Sequence, residues 1–165
     1  MATGTGLTGK TGTNMHVEYS GAVDVATPKL ILSRFTPITW TWGTGENQIN
    51  TLFQDLNRTT NIGGETLDLT TGLFDCFNNP LTMTVLKFLY VKNTHATTIL
   101  SLFGNTSFDL LIMSGTTNAV QIPPGGEFYW SGPLAGIDVT TYIKLFIQCT
   151  TAADVTYDII LGGLD

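Results

Sequence analysis

Apolar residues recur with a period of two over most of this chain, and that pattern constrains its fold more than any other feature. In DVTYDIIL (154–161), Val155, Tyr157, Ile159 and Leu161 alternate with Thr156 and Asp158. YIKLFIQC (142–149) sets Ile143, Leu145, Ile147 and Cys149 on one side, with Lys144 and Gln148 on the other. SFDLLIM (107–113) repeats the pattern with Phe108, Leu110 and Ile112. Successive side chains of a strand point to opposite faces, so each run reads as a strand with one buried face. TMTVLKFLYVK (82–92) is apolar on both faces, which suits a central strand covered from two sides. AVQI (119–122) and EFYW (127–130) flank Pro123-Pro124-Gly125-Gly126, a strong turn signal. Pro presets φ at the second turn position and Gly accepts a positive φ at the third. Further strands are predicted at 16–20, 29–33, 37–42 and 65–70. Short strands parted by Gly, Asn and Pro clusters predict an all-β sandwich or barrel.

One segment fits two templates. In NQINTLFQDLNRTT (47–60), Ile49, Leu52, Phe53 and Leu56 follow the i, i+3, i+4, i+7 spacing of a helix. Read as a strand, the same residues divide between two faces. Residues 47–58 therefore stay open between helix and strand.

The 165 residues suit a single domain that buries roughly 70% of its unfolded surface. Residues 1–14 are polar, rich in Gly and Thr and without periodicity, so they read as a flexible or extended arm. Residues 15–165 form the single β domain. Charged residues make up only 12% of the chain, against about 25% in ordinary soluble domains, and Thr and Gly take their place. Such a surface suits a protein packed against other protein. The net charge of −6 argues against nucleic acid, whose binders gain free energy from a basic face. No apolar run approaches the ~20 residues of a membrane span, and no hydrophobic leader is expected at the N-terminus. Cys76 and Cys149 make no disulfide framework, and Cys149 reads as a buried thiol.

Residues 4–11, GTGLTGKT, satisfy the phosphate-binding pattern G-x-x-x-x-G-K-[ST]. That pattern works when a buried strand delivers the loop and a helix follows it, so that backbone N–H groups and the Lys converge on phosphate. Three residues precede Gly4 here, and Gly12-Thr13-Asn14 is poor helix-forming sequence. No nucleotide binding is expected. The arm residues Thr3, Thr5, Leu7, Lys10, Thr11 and Thr13 read instead as contacts to a neighbouring surface. His16 and His95 stand apart, the acidic residues are dispersed, and no zinc spacing or nucleophile elbow occurs, so no catalytic, cofactor or metal residue is nominated. The aromatics offer more. Trp40 and Trp42 lie two apart on one face of a strand, and Tyr129-Trp130 place one ring on each face. They read as core, as interface anchors, or as a sugar-stacking platform.

Several segments taken together resemble small tailed-phage virion proteins of the capsid decoration (cement) type. The resemblance rests on WGTGENQINTLFQDLNRT (42–59), GETLDLTTGLFDCFNNPLTM (64–83), VLKFLYVKNT (85–94), IPPGGEFYWSGP (122–133) and VTYDIILGG (155–163). It implies a jelly-roll-like β-sandwich, a strand at 48–56 and a "Pro-Gly-Gly" hairpin. It further implies a homo-oligomer, trimer favoured, on the outer surface of the virion capsid, with the major capsid protein as partner. The alternative is a carbohydrate- or receptor-binding module of a head or tail fibre, built on Trp40, Trp42 or Trp130.

Overall fold

The computed structural model of the chain describes residues 8–20, 29–104, 119–141, 144–150 and 154–165. They are all-β. β1 (Gly9–Ser20) and β2 (Lys29–Trp42) form a long antiparallel ribbon, and β3 (Gln48–Ile49) lies parallel to the end of β2. β4 (Thr51–Thr60), β5 (Glu65–Asp68) and the short pair β6 (Leu73–Phe74) and β7 (Pro80–Leu81) follow. The chain continues through β8 (Val85–Asn93), β9 (Leu100–Gly104), β10 (Ala119–Ile122), β11 (Glu127–Ser131), β12 (Ile137–Asp138), β13 (Lys144–Cys149) and β14 (Val155–Leu164).

Two antiparallel sheets make the body, in the orders β10-β9-β13-β5 and β11-β8-β14-β4, with β12 also paired to β8. The antiparallel pairings are nested: β4 with β14, β5 with β13, β8 with β11 and β9 with β10. Their inner residues form one apolar cluster that includes Leu89 and Val91 of β8, Leu100 and Leu102 of β9, Leu145 and Ile147 of β13, and Val155 to Leu161 at alternate positions of β14. Burying each such side chain contributes about 1.5–3 kcal/mol, so this sandwich-like core dominates stability. Asn93 ties its corner. Its buried amide donates to the carbonyls of Thr98 (2.8 Å) and Ile122 (2.9 Å).

The alternating runs at 144–149 and 154–161 fold as strands, and the run at 82–92, apolar on both faces, is a central strand from Val85 on; SFDLLIM (107–113) and Ile143 lie outside the described residues. Residues 48–49 and 51–60 are strands, not helix. Their helical spacing is a coincidence of two packed faces: Ile49 and Leu52 belong to a second cluster on the outer sheet face, Phe53 belongs to the main core, and Leu56 is exposed. Asn57, at φ 60° with its N–H on Asp158 Oδ1 (2.9 Å), marks an irregularity that shifts the register of β4 on β14.

The Pro123–Gly126 turn is present, with Gly125 at φ 72° and Gly126 N–H on the Pro123 carbonyl at 2.9 Å. It does not close a hairpin. β10 and β11 lie in different sheets, and the turn crosses between them, held to the end of β8 by backbone bonds between Asn93 and residues 125 and 126. At the other end of the chain, residues 9–14 of the expected arm are paired with residues 35–40 as the first half of β1, and the strand runs on through residue 15 without a break.

Candidate functional site

The ribbon's base sits on the outer face of the β11-β8-β14-β4 sheet. That face is apolar at Leu52 of β4, Phe88 of β8, Tyr129 of β11 and Ile160 of β14, each alternating with an inward core residue. Trp40 of β2, 1% exposed, covers it, with its ring 5.6 Å from that of Phe88. Gly162 makes room for this contact, because a methyl there would overlap the Phe88 ring. The indole N–H would be costly to bury without a partner. It donates to Thr11 Oγ1 of β1 (2.6 Å), which in turn shares a hydrogen bond with the Tyr129 hydroxyl (2.6 Å). An arm residue, a ribbon tryptophan and a sheet tyrosine, far apart in the chain, thus form one hydrogen-bonded relay.

Beside the seat runs a groove of about 480 Å³ between residues 10–14 of β1 and a floor of Phe88, Tyr90, Tyr129 and Ile160. Its rim holds Glu127, paired with Lys92 at 2.9 Å. That ammonium keeps the Glu127 carboxyl below its ordinary value, while burial, helped by Glu127, pushes the Tyr90 phenol up. The surface is apolar at its floor, with a paired charge at its edge.

The other candidates fall in different places. Trp42, at 39% exposed, stands at the open end of β2, whereas Trp130 packs against the main core. Lys10 and Thr13 are exposed on β1. Thr3, Thr5 and Leu7 lie outside the described residues. Phe88 and Ile160 complete the seat, and the sequence signal for Phe88 was the two-faced apolar run at 82–92. His95 accepts the backbone N–H of Thr98 on Nδ1 (3.1 Å) in a turn. Among the described residues no three His, Cys, Asp or Glu side chains gather as a metal site.

A second exposed feature is the turn between β6 and β7. Asp75 Oδ1 accepts the N–H groups of Phe77 (2.9 Å) and Asn79 (2.8 Å), and Phe77 projects from it 82% exposed. The Asn79 side-chain amide, then the Asn79 and Phe77 backbone N–H groups, hold the Asp75 carboxyl below its ordinary value of 3.8. A depressed folded value means that the turn gains stability from this carboxylate above pH 3.8 and loses it as pH falls through the lower folded value. We expect the amide resonances of Phe77 and Asn79 to titrate together below pH 3.8, and the titration to vanish in Asp75→Asn. Flat resonances across the acid range in the unaltered chain would contradict this.

Comparison with family models, with curated proteins and with solved structures finds no match for this chain.

Proposed function

We propose that this chain is a non-enzymatic virion structural protein, a capsid decoration (cement) protein that binds the outer surface of an icosahedral phage head and stabilises it by bridging major capsid subunits. The observation that carries the reading is the long β-ribbon seated on the outside of an all-β body, beside an apolar groove that none of the described residues fills. The groove of about 480 Å³ presents a strand edge over aromatic rings rather than a cluster of converging polar groups. The low charge content supports the same reading, since few ions need desolvation when such a surface is covered.

The nested pairing of β4 with β14, β5 with β13, β8 with β11 and β9 with β10 supports a jelly roll, the form a long folded-over chain takes when it is rolled into two Greek keys. A homotrimer is the favoured assembly, because it closes on itself and matches three-fold positions between capsomers. Residues 1–7, ahead of β1, add contact area when they dock on the shell. Burial of Trp40 and the core packing of Trp130 leave only Trp42 of the three tryptophans with much ring to offer a sugar, so the glycan-binding alternative gains no support from them.

Co-sedimentation with purified heads tests the proposal. The full chain is expected to pellet with heads and to raise their disruption temperature. A chain lacking residues 1–7, which leaves β1 intact, should bind about tenfold more weakly, a loss of ~1.4 kcal/mol. Heads that neither retain the full chain nor gain heat stability would refute the function.

A further inference from the structure

The groove beside β1 is lined by five consecutive residues, 10–14. Strand side chains alternate between faces, so a run of five can line one groove only where the strand turns its edge towards it. Among the described residues that edge has no strand partner, since β1 lies at the margin of its sheet and pairs with β2 on its other side. Unpaired N–H and C=O groups above an apolar floor are the arrangement that accepts an added strand.

The same chain carries a segment of matching pattern. By register, residues 9, 11, 13, 15, 17 and 19 of β1 share a face of the ribbon with residues 40, 38, 36, 34, 32 and 30 of β2. At the base this is the face of Thr11, Ile38 and Trp40, which rests on the sheet. Farther out, the sequence at its positions reads Met15, Val17, Tyr19, Leu30 and Leu32, interrupted by Arg34. The opposite face reads His16, Glu18, Ser20, Lys29 and Ser33, with Ile31 as its one apolar position. Among the described pairings, this distal half pairs only with itself. An unbroken strand advances roughly 3.4 Å per residue, so residues 15–20 run away from the groove beside residues 10–14 and cannot fold back to fill it.

We propose that the groove beside β1 seats the distal half of the β1–β2 ribbon of a second copy of this chain. The apolar ribbon face that begins on its own sheet then ends on the neighbour's, over Phe88, Tyr90, Tyr129 and Ile160. Each copy donates one ribbon and accepts one, a head-to-tail contact of the kind that forms a ring where its rotation closes. The inference rests on the homo-oligomer part of the reading above and is independent of the capsid.

Sedimentation velocity of the full chain, without heads, is expected to give a multiple of the 17.8 kDa chain mass. The double substitution Val17→Lys/Leu32→Lys should reduce it to a single chain. A second test does not depend on those variants. In a Cys76→Ser background, copies carrying Val17→Cys are mixed with copies carrying Tyr90→Cys and treated with a short bismaleimide. Cross-linked dimers are expected from the mixture and not from either copy alone. A full chain that sediments as a monomer, an assembly indifferent to the two lysines, or cross-links confined to the unmixed Val17→Cys sample would each overturn the proposal. A monomer that still binds heads would sink the ribbon contact and leave the decoration function standing; an oligomer that ignores heads would do the reverse.

Discussion

Trp40→Ala is expected to unseat the ribbon while leaving the sandwich folded. Truncating a fully packed tryptophan costs about 3–5 kcal/mol, so the equilibrium for lifting β1 and β2 off the sheet should shift by roughly a hundredfold to several thousandfold. The loss is local because Trp40, Ile49 and Phe88 form a cluster separate from the main core, so the seat can open without exposing the sandwich interior. Hydrogen exchange should therefore accelerate at the amides that pair β1 with β2 within residues 9–14 and 36–40, with the amides of β14 little changed. Thr11→Val keeps the shape but removes the acceptor of the indole N–H, and should give a smaller shift of about 1–3 kcal/mol in the same amides. If Trp40→Ala left the ribbon amides as protected as before, the relay would not be what holds the ribbon down.

This seat explains where the sequence was readable and where it was not. β13 and β14 announced themselves because each buries alternate residues in one large core, and β8 because it is buried on both faces. Residues 9–14 gave no such signal. They lie in β1 all the same, held by pairing to β2 and by one threonine hydroxyl in place of an apolar face. Gly12, which looked like arm composition, has a packing role, since a Cβ there would press on the β2 backbone at Thr36 and Pro37. Trp40 and Tyr129 stood out as aromatics, but nothing local joins them to Thr11, which lies 29 residues from one and 118 from the other. The segment at 47–60 stayed open between helix and strand because it serves two clusters on opposite sheet faces, which imitates a helix. The turn at 123–126 was legible as a turn, but which sheets its strands enter is decided by pairings with β8 and β9, not by the turn.

The second large effect is expected at the open side of the sandwich, where β4 and β5 are the marginal strands of their sheets. Glu65 of β5 reaches across it. One carboxylate oxygen accepts the Tyr157 hydroxyl of β14 at 2.5 Å, and the other accepts Arg58 Nε of β4 at 2.8 Å. Arg58 also holds Asp55 at 2.6 Å. Burial alone would lower the Arg58 value, yet its bonds to Glu65 and Asp55 raise it overall, so the guanidinium stays charged. Burial first, and the Glu65 carboxylate next, push the Tyr157 phenol up, so the hydroxyl remains a donor far into the alkaline range. Glu65→Ala strips both donors of their acceptor at once. Tyr157 is completely buried and has no access to water, whereas Arg58 is about 29% exposed at its side chain and is partly rescued by solvent. We therefore expect a loss of about 2–3 kcal/mol in urea unfolding, most of it from the tyrosine. Glu65→Gln, which still offers an oxygen to the phenol, should recover part of it. Tyr157→Phe removes the buried donor and should cost less in the Glu65→Ala background than alone, with a coupling of roughly 1–3 kcal/mol. Additivity of the two substitutions within about 0.5 kcal/mol would mean that Glu65 and Tyr157 stabilise the fold independently, and that the Tyr157 hydroxyl takes no part in joining the sheets at this edge.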